Sequence, residues 1–323
     1  MLPAMNRSVL IGVFCAMSGA VTYGLNPFFA IPMYEHGIMP MSVLFYRFLI
    51  ACFLLGLVML YRQESFRLPF QYWGHVFMAG VLLALSCVFW YMTFNILDSG
   101  IGATLLFVYP VLVAFIMAIF FRERLSRVTI SGIALSLLGI AMLCQPGAGA
   151  RISSLGILFI FLSALTYAIY IVGVNHSRLK DLTPTCLTFY AMLFALPLFL
   201  ISLCGGSDLQ ALTTWHDVGN AFGLGLFPSM LSFLLMAVAI RHIGATQTSV
   251  LGALEPVTAV MIGMFCFGEH MSFKLMSGIV VILIAVTLVI CGQNNAINLP
   301  GVKHIRRFLR YRKYRRSRKA LAK

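Results

Sequence analysis

Ten long apolar stretches divide this sequence, and they constrain its fold more than any other feature. About 20 predominantly apolar residues suffice for an α-helix to cross the hydrocarbon core of a bilayer. Only 10% of the residues are charged, against roughly 25% in an average soluble chain. The sequence therefore predicts an all-α integral membrane protein with ten transmembrane helices. The predicted spans are 8–30, 40–61, 72–97, 101–121, 128–145, 153–175, 184–204, 217–241, 245–268 and 273–292.

Basic residues are distributed unevenly between the two sides of these spans. The side that carries both termini holds most Lys and Arg of the loops, whereas the opposite side holds Arg151 and Lys274. Because positively charged loops remain in the cytoplasm, we predict a multi-pass inner-membrane (plasma-membrane) protein with both termini cytoplasmic.

The end of the chain, residues 294–323, is a basic tail with eleven Lys and Arg between Lys303 and Lys323. Basic runs with aromatic residues also occur in nucleic-acid-binding segments. Directly after a membrane helix, we interpret the tail as a contact with the anionic lipids of the cytoplasmic leaflet. We expect no nucleic-acid partner, and the sequence does not define an oligomeric state.

The second half of the chain repeats the first. The segment "YPVLVAFIMAIFFRERLSRVTISG" from Tyr109 aligns without a gap with "EPVTAVMIGMFCFGEHMSFKLMSG" from Glu255 and pairs Pro110 with Pro256. Each repeat holds five spans, an odd number, so the second repeat enters the membrane from the opposite side. Secondary transporters often use such a five-plus-five inverted repeat, with the substrate site near the membrane midplane. The predicted units are 1–147 (helices 1–5), 148–293 (helices 6–10) and the tail 294–323.

These motifs resemble the EamA family of the drug/metabolite transporter superfamily. The resemblance rests on the five-plus-five repeat, on Arg47 in "FYRFLIA", on the "YPV" and "EPV" elements and on the closing "RERLS" and "GEHMS". It implies a single-chain carrier, often an exporter of amino acids or other small metabolites, with a central cavity lined by both repeats. We expect alternating access between the two repeats.

Other functions stay open at this point. The same superfamily includes nucleotide-sugar and sugar-phosphate carriers, and a non-transporting scaffold could use the basic tail. An enzyme is not expected, because the sequence shows no clustered nucleophile, carboxylate pair or metal-ligand spacing. We therefore predict no cofactor and no metal.

Glu255 is the one acidic residue deep inside a predicted span. Counted from Ala245, it lies ~15 Å into the membrane, near the midplane. A charge facing lipid at this depth is costly, so Glu255 is predicted to face the bundle interior or water. Pro256 removes a helical hydrogen bond beside it, which indicates a substrate-binding or gating point. In the alternative interpretation, Glu255 is neutral and only joins helices.

Arg47 is the one basic residue inside a span, ~10 Å from the span end at Pro40. Its guanidinium could hold a carboxylate or phosphate, but we favour a gating or structural role for Arg47. We predict the same kind of role for Pro110 and Pro256. We expect Arg47 and Glu255 to pair in one state of the transport cycle.

Aromatic and amide side chains recur at spacings of three or four, which places them on shared helix faces. A cavity wall built from these side chains suits an organic, partly apolar solute. Aromatic residues also anchor the ends of spans at the membrane surface. The predicted cavity residues are Tyr23, Asn26, Trp90, Tyr91, Asn95, Tyr109, Tyr167, Tyr170 and Glu255.

Overall fold

The computed structural model of the protein describes residues 7–93, 96, 99–123, 125–144, 153–268 and 272–298. These residues form α-helices and contain no strand. A π-helical segment, Gly225–Leu231, follows the helix Trp215–Leu224, and short 3₁₀ turns, Arg178–Asp181 and Cys204–Gly206, follow the helices that end at His176 and Ser202. The helices are α1 (Arg7–Gly24), α2 (Asn26–Glu35), α3 (Pro40–Tyr61), α4 (Phe70–Thr93), α5 (Ser99–Leu106), α6 (Tyr109–Phe120), α7 (Arg127–Leu143), α8 (Ser154–His176), α9 (Pro184–Ser202), α10 (Trp215–Leu224), α11 (Ser232–Ile243), α12 (Ala245–Leu251), α13 (Leu254–Phe267) and α14 (Phe273–Asn298).

The helices make up ten membrane spans, which confirms the predicted fold class. Eight segments are long and apolar enough to cross a membrane, and the shorter apolar segments Thr104–Phe120 and Arg127–Leu143 supply the other two. Spans 1, 4, 8 and 9 each consist of two helices in series. The first span was predicted too short, because α2 continues the path of α1 as far as Glu35.

The exposed faces of the helices suit a lipid environment. In α3, Leu49, Phe53, Leu57 and Leu60 are all exposed. Their spacing of three or four residues places them in one stripe along the helix. An apolar stripe on the outside of a helix bundle is stable in contact with acyl chains rather than water.

Most of the extensive helix packing joins the first five spans to the last five. α1 packs on α11, α4 on α8 and α9, α3 on α9, and α7 on α14. Helices α7 and α14 lie very close to each other at Gly132, where an added Cβ would be only 2.4 Å from the side chain of Val289. The two halves are thus interleaved rather than side by side. The unit boundaries at 147/148 and 293/294 stay predictions.

The same local geometry occurs in both halves at the dipeptide Thr-Tyr, which stands at 22–23 in the first half and at 166–167 in the second. The hydroxyl of Thr22 donates to the carbonyls three and four residues earlier in α1. Thr166 makes the same two hydrogen bonds in α8. Both threonines satisfy their hydroxyls within their own helix, so they require no polar neighbour in the membrane.

Spans 4 and 9 are interrupted at matching places, where α6 begins at Tyr109–Pro110 and α13 at Leu254, just before Glu255–Pro256. A proline lacks an N–H group and its ring clashes with the carbonyl four residues earlier. In span 9, the amide of Glu255 bonds instead to the carbonyl of Gly252, at 2.9 Å. The prolines therefore place a break in both spans, as in the discontinuous helices of many transporters.

Candidate functional site

Three neighbouring cavities lie between the helices, and Tyr23 of α1 lines all of them. The outer cavity extends from the α2–α3 loop and has an empty volume of about 480 Å³, which includes space open to solvent. Two further cavities, named here inner and side, have empty volumes of about 420 and 820 Å³ by the same measure, and Glu255 lines both.

Glu255 stands in the first turn of α13 and lines both the inner and the side cavity. Within the described part of the chain, its carboxylate forms no hydrogen bond and no ion pair. A carboxylate at membrane depth is stable when it faces water, a proton or a cation. Its position therefore suits the binding of a cationic group or a proton from the cavity.

Arg47 lies in the wall of the outer cavity and is only 6% exposed. Its Nε donates to Ser229 Oγ at 2.8 Å, and its guanidinium carbon lies 5.5 Å from the centre of the Tyr23 ring. Ser229 in turn donates to the carbonyl of Leu224 at 2.9 Å. The π-helical segment thus supplies the hydroxyl that fixes the guanidinium.

The predicted pair of Arg47 and Glu255 is not formed in this conformation. Both residues are described, and no ion pair joins them. Tyr23 contacts the guanidinium and lines the two cavities that Glu255 lines, so an aromatic ring is shared between the two charged sites. The cavities therefore present a fixed cation and a carboxylate separately.

Two tyrosines form an aromatic wall of the inner cavity. The rings of Tyr109 and Tyr167 meet edge to face with centroids 5.0 Å apart. The phenol of Tyr109 donates to the carbonyl of Ser249 at 3.3 Å, and that of Tyr167 donates to the sulfur of Met236 at 3.2 Å. These bonds connect span 4 to span 9 and span 6 to span 8, so this wall joins the two halves of the chain.

The structure brings most of the predicted site residues together. Tyr170 is the clear difference, because it stacks behind Tyr167 with ring centroids 6.1 Å apart and is buried away from the three cavities. Pro110 is buried in α6, and Asn95 lies outside the described residues. The functional roles of all these residues stay predictions. Those that line a cavity are Tyr23, Asn26, Arg47, Trp90, Tyr91, Tyr109, Tyr167, Glu255 and Pro256.

Several cavity residues were missed from the sequence. Cys87 lies three and four residues before Trp90 and Tyr91, so the helical spacing could have revealed it. Phe107 lines the inner cavity at the break before Tyr109. Ser229 lines none of the three cavities but accepts the hydrogen bond of Arg47, and nothing in the sequence indicated it, because this contact depends on the π-helical segment.

The bundle end that carries the start of α1 is closed by hydrogen bonds. Thr246 donates to Glu123 Oε2 at 3.3 Å, and the guanidinium of Arg241 donates to the carbonyl of Leu182. Burial raises the pKa of Glu123, and the bond from Thr246 opposes this shift. These contacts lie at the opposite end of the spans from the α2–α3 loop, where the outer cavity is found.

Comparisons with known proteins agree with this architecture. The sequence profile of the EamA-like transporter family matches residues 10–145 and 154–291. An uncharacterized transporter of Archaeoglobus fulgidus is 24% identical over 278 residues, which cover 84% of this chain and 95% of the relative. The uncharacterized transporter YyaM of Bacillus subtilis is 28% identical over 56% of this chain and 61% of its own. A chain of known crystal structure superposes with a TM-score of 0.72 at 18% identity, covering 87% of this chain and 95% of that one.

Proposed function

This chain belongs to the EamA-like transporter family, and from this premise we propose that it is a secondary transporter that exports small zwitterionic metabolites such as amino acids. The family profile covers most of the chain in two matches. Membership of this family and the ten spans together identify the chain as a multi-pass membrane transporter. The substrate class, the direction of transport and the transport mechanism are what we propose.

Two charged groups carry the substrate assignment. The carboxylate of Glu255 forms no hydrogen bond or ion pair with a described residue and lines the inner and side cavities, and the guanidinium of Arg47 lines the outer cavity, with Tyr23 in the wall of all three. A zwitterion offers a cation for Glu255 and a carboxylate for the guanidinium of Arg47. Arginine suits a carboxylate because its planar fork can donate two parallel hydrogen bonds. The aromatic walls formed by Tyr23, Trp90 and Tyr109 favour a partly apolar body between the two charged ends.

A nucleotide-sugar or sugar-phosphate substrate fits this site less well. A diphosphate carries several negative charges and is usually held by more than one Arg or Lys. Among the described residues that line the three cavities, Arg47 is the only basic one, and Glu255 would repel phosphate. No contact in the described part of the chain favours the scaffold function over transport.

Alternating access is supported by the way the helices are grouped. α1, α11 and α13 pack together, and α4, α6 and α8 pack together. Each group contains helices from both halves of the chain. Thr246 lies in α12, which packs on α1 and α11 as well as on α6, so its hydrogen bond to Glu123 joins the two groups at the closed end. Breaking it while the opposite end closes would expose Glu255 to the other side.

Direction and location are proposed on separate grounds. Export follows the resemblance to the family. Insertion in the inner membrane with both termini cytoplasmic follows the excess of basic residues on the side of Arg7. With this orientation, the α2–α3 loop and the outer cavity face the exterior.

Counterflow in proteoliposomes tests the substrate class. Vesicles preloaded with a single unlabelled amino acid are diluted into the same amino acid carrying a label, and uptake is compared with protein-free vesicles. We expect labelled amino acids with apolar or aromatic side chains to accumulate, and nucleotide sugars or sugar phosphates at the same concentration not to compete. Counterflow of a labelled sugar phosphate or nucleotide sugar, together with none of any amino acid tested, would favour the alternative carrier.

A further inference from the structure

A long apolar groove runs along the membrane-facing surface between α6 and α8, away from the three central cavities. Its empty volume is about 1270 Å³, including open space. The side chains that line it are almost all carbon, among them Phe115, Ile116 and Phe120 of α6 and Phe161, Leu165 and Ile169 of α8. From Phe161 to Ser177 the groove follows α8 for ~24 Å, which exceeds the ~15 Å of hydrocarbon in one leaflet.

The groove has space for an added group at Gly173. A Cβ built at this position would meet no atom within 4 Å. Neighbouring Phe115 and Phe161 are 59% and 46% exposed, so the open space is bordered by aromatic rings that protein does not cover. The shape is that of a slot for a flexible apolar chain rather than of a flat helix face.

One end of the groove is polar and basic. The rings of Phe121 and His176 stack there with centroids 3.9 Å apart. Directly beyond them, Arg122, Arg178 and Lys180 are exposed, and none forms an ion pair with a described residue. The nearby acidic side chains interact with other residues rather than with these three cations. Glu123 accepts a hydrogen bond from Thr246, and Asp181 interacts electrostatically with Arg241.

We propose that this groove binds one acyl chain of an anionic glycerophospholipid, with the lipid phosphate at Arg122, Arg178 and Lys180. The apolar slot selects an acyl chain, and basic residues beside a membrane helix attract anionic headgroups. A second copy of this chain fits the same face less well. In a two-fold dimer, identical surfaces meet, so the cations of both copies would be brought together and would repel.

Native mass spectrometry of the purified full chain tests the site with palmitoyl-oleoyl phosphatidylglycerol and the matching phosphatidylcholine as probes. Gly173→Trp fills the slot and should lower retained phosphatidylglycerol roughly tenfold, the effect of displacing about two methylenes from an apolar site. Arg178→Gln with Lys180→Gln should reduce the preference for phosphatidylglycerol about fivefold for each charge removed, while phosphatidylcholine is still retained.

Matched controls separate this site from general lipid contact. Gly219→Trp places the same side chain at another exposed helical glycine with open space, and Arg62→Gln with Arg67→Gln removes two exposed cations elsewhere. Both should behave as wild type. Equal loss in Gly219→Trp, or no loss in Gly173→Trp, would contradict the proposal, as would conversion of a dimer to a monomer by Gly173→Trp with lipid retention unchanged.

A second measurement applies if Gly173→Trp does not fold. Wild-type protein in vesicles is photolabelled with phosphatidylglycerol that carries a diazirine in one acyl chain. Labels enriched at 112–121 and 161–177 relative to the exposed stripe of α3 support the site. Equal labelling of all lipid-facing segments would overturn it.

Discussion

At the scale of single residues, the contact between Tyr109 and Gly252 determines how closely spans 4 and 9 approach each other. A Cβ added at Gly252 would lie 2.2 Å from the Tyr109 phenol oxygen and 2.9 Å from the carbonyl of Ser249. Gly252 has φ −57°, a value that any residue adopts in a helix. Close packing, rather than an unusual backbone conformation, therefore requires glycine here.

We predict that Gly252→Ala is destabilising by about 1–3 kcal/mol, the usual effect of overpacking. Removal of the phenol oxygen in Tyr109→Phe should relieve part of this clash, so the double variant should lose less stability than the two single losses summed. Thermal melting of the detergent-solubilised protein measures the cycle. Gly173→Ala, at an open position, should be close to neutral, and additive losses at 109 and 252 would contradict the contact.

A pH-dependent prediction concerns Glu123 at the closed end. Burial raises its pKa above the ordinary value of 4.5, so ionisation of Glu123 disfavours the folded state. Glu123→Gln keeps an oxygen that accepts from Thr246 and should stabilise the protein at neutral pH. Because both forms are neutral in acid, the difference in melting temperature should disappear as the pH falls below 4.5. A difference that is constant with pH would show that the Glu123 charge does not affect stability.

At the scale of helices, the repeated prolines predicted where two spans would break but not all of the breaks. Pro110 and Pro256 stand at the paired interruptions of spans 4 and 9. The break in span 1 and the π-helical segment in span 8 also contain prolines, Pro27 and Pro228, but neither has a matching proline in the other repeat that would have marked it. Arg47 was recognised from its sequence, whereas its partner Ser229 was not, since the π-helical geometry alone brings that hydroxyl to the guanidinium.

A cross-linking prediction follows from the grouping of helices. With the three exposed native cysteines replaced by serine, a disulfide between Glu123→Cys and Thr246→Cys should hold the closed end shut and stop transport until it is reduced. Ser8 Oγ and His242 Nδ1 are 2.9 Å apart and join α1 to α11 within one group. A disulfide between Ser8→Cys and His242→Cys should therefore leave transport intact. Transport that persists through the 123–246 cross-link would contradict the proposed movement.

At the scale of the whole molecule, the apolar stretches predicted ten spans, and the structure has them. The internal repeat predicted how these spans divide into two units of five. It did not predict that helices of the two halves interleave, as α1 does with α11 and α4 with α8. That arrangement arises from contacts between residues more than a hundred positions apart, which span periodicity does not encode. It also explains why the inner and side cavities are lined by both halves, with Tyr23 from the first half and Glu255 from the second.

The most direct test of the account is amino acid flux through wild-type and Glu255→Gln proteins reconstituted at equal density. We predict that wild-type protein accelerates uptake of an amino acid identified by counterflow. Glu255→Gln should lower this uptake rate at least about tenfold, equivalent to 1.4 kcal/mol, without loss of folded protein. Glu35→Gln, an exposed acid outside the three cavities, should transport as wild type. Undiminished flux through folded Glu255→Gln would contradict the central claim that this carboxylate binds the substrate.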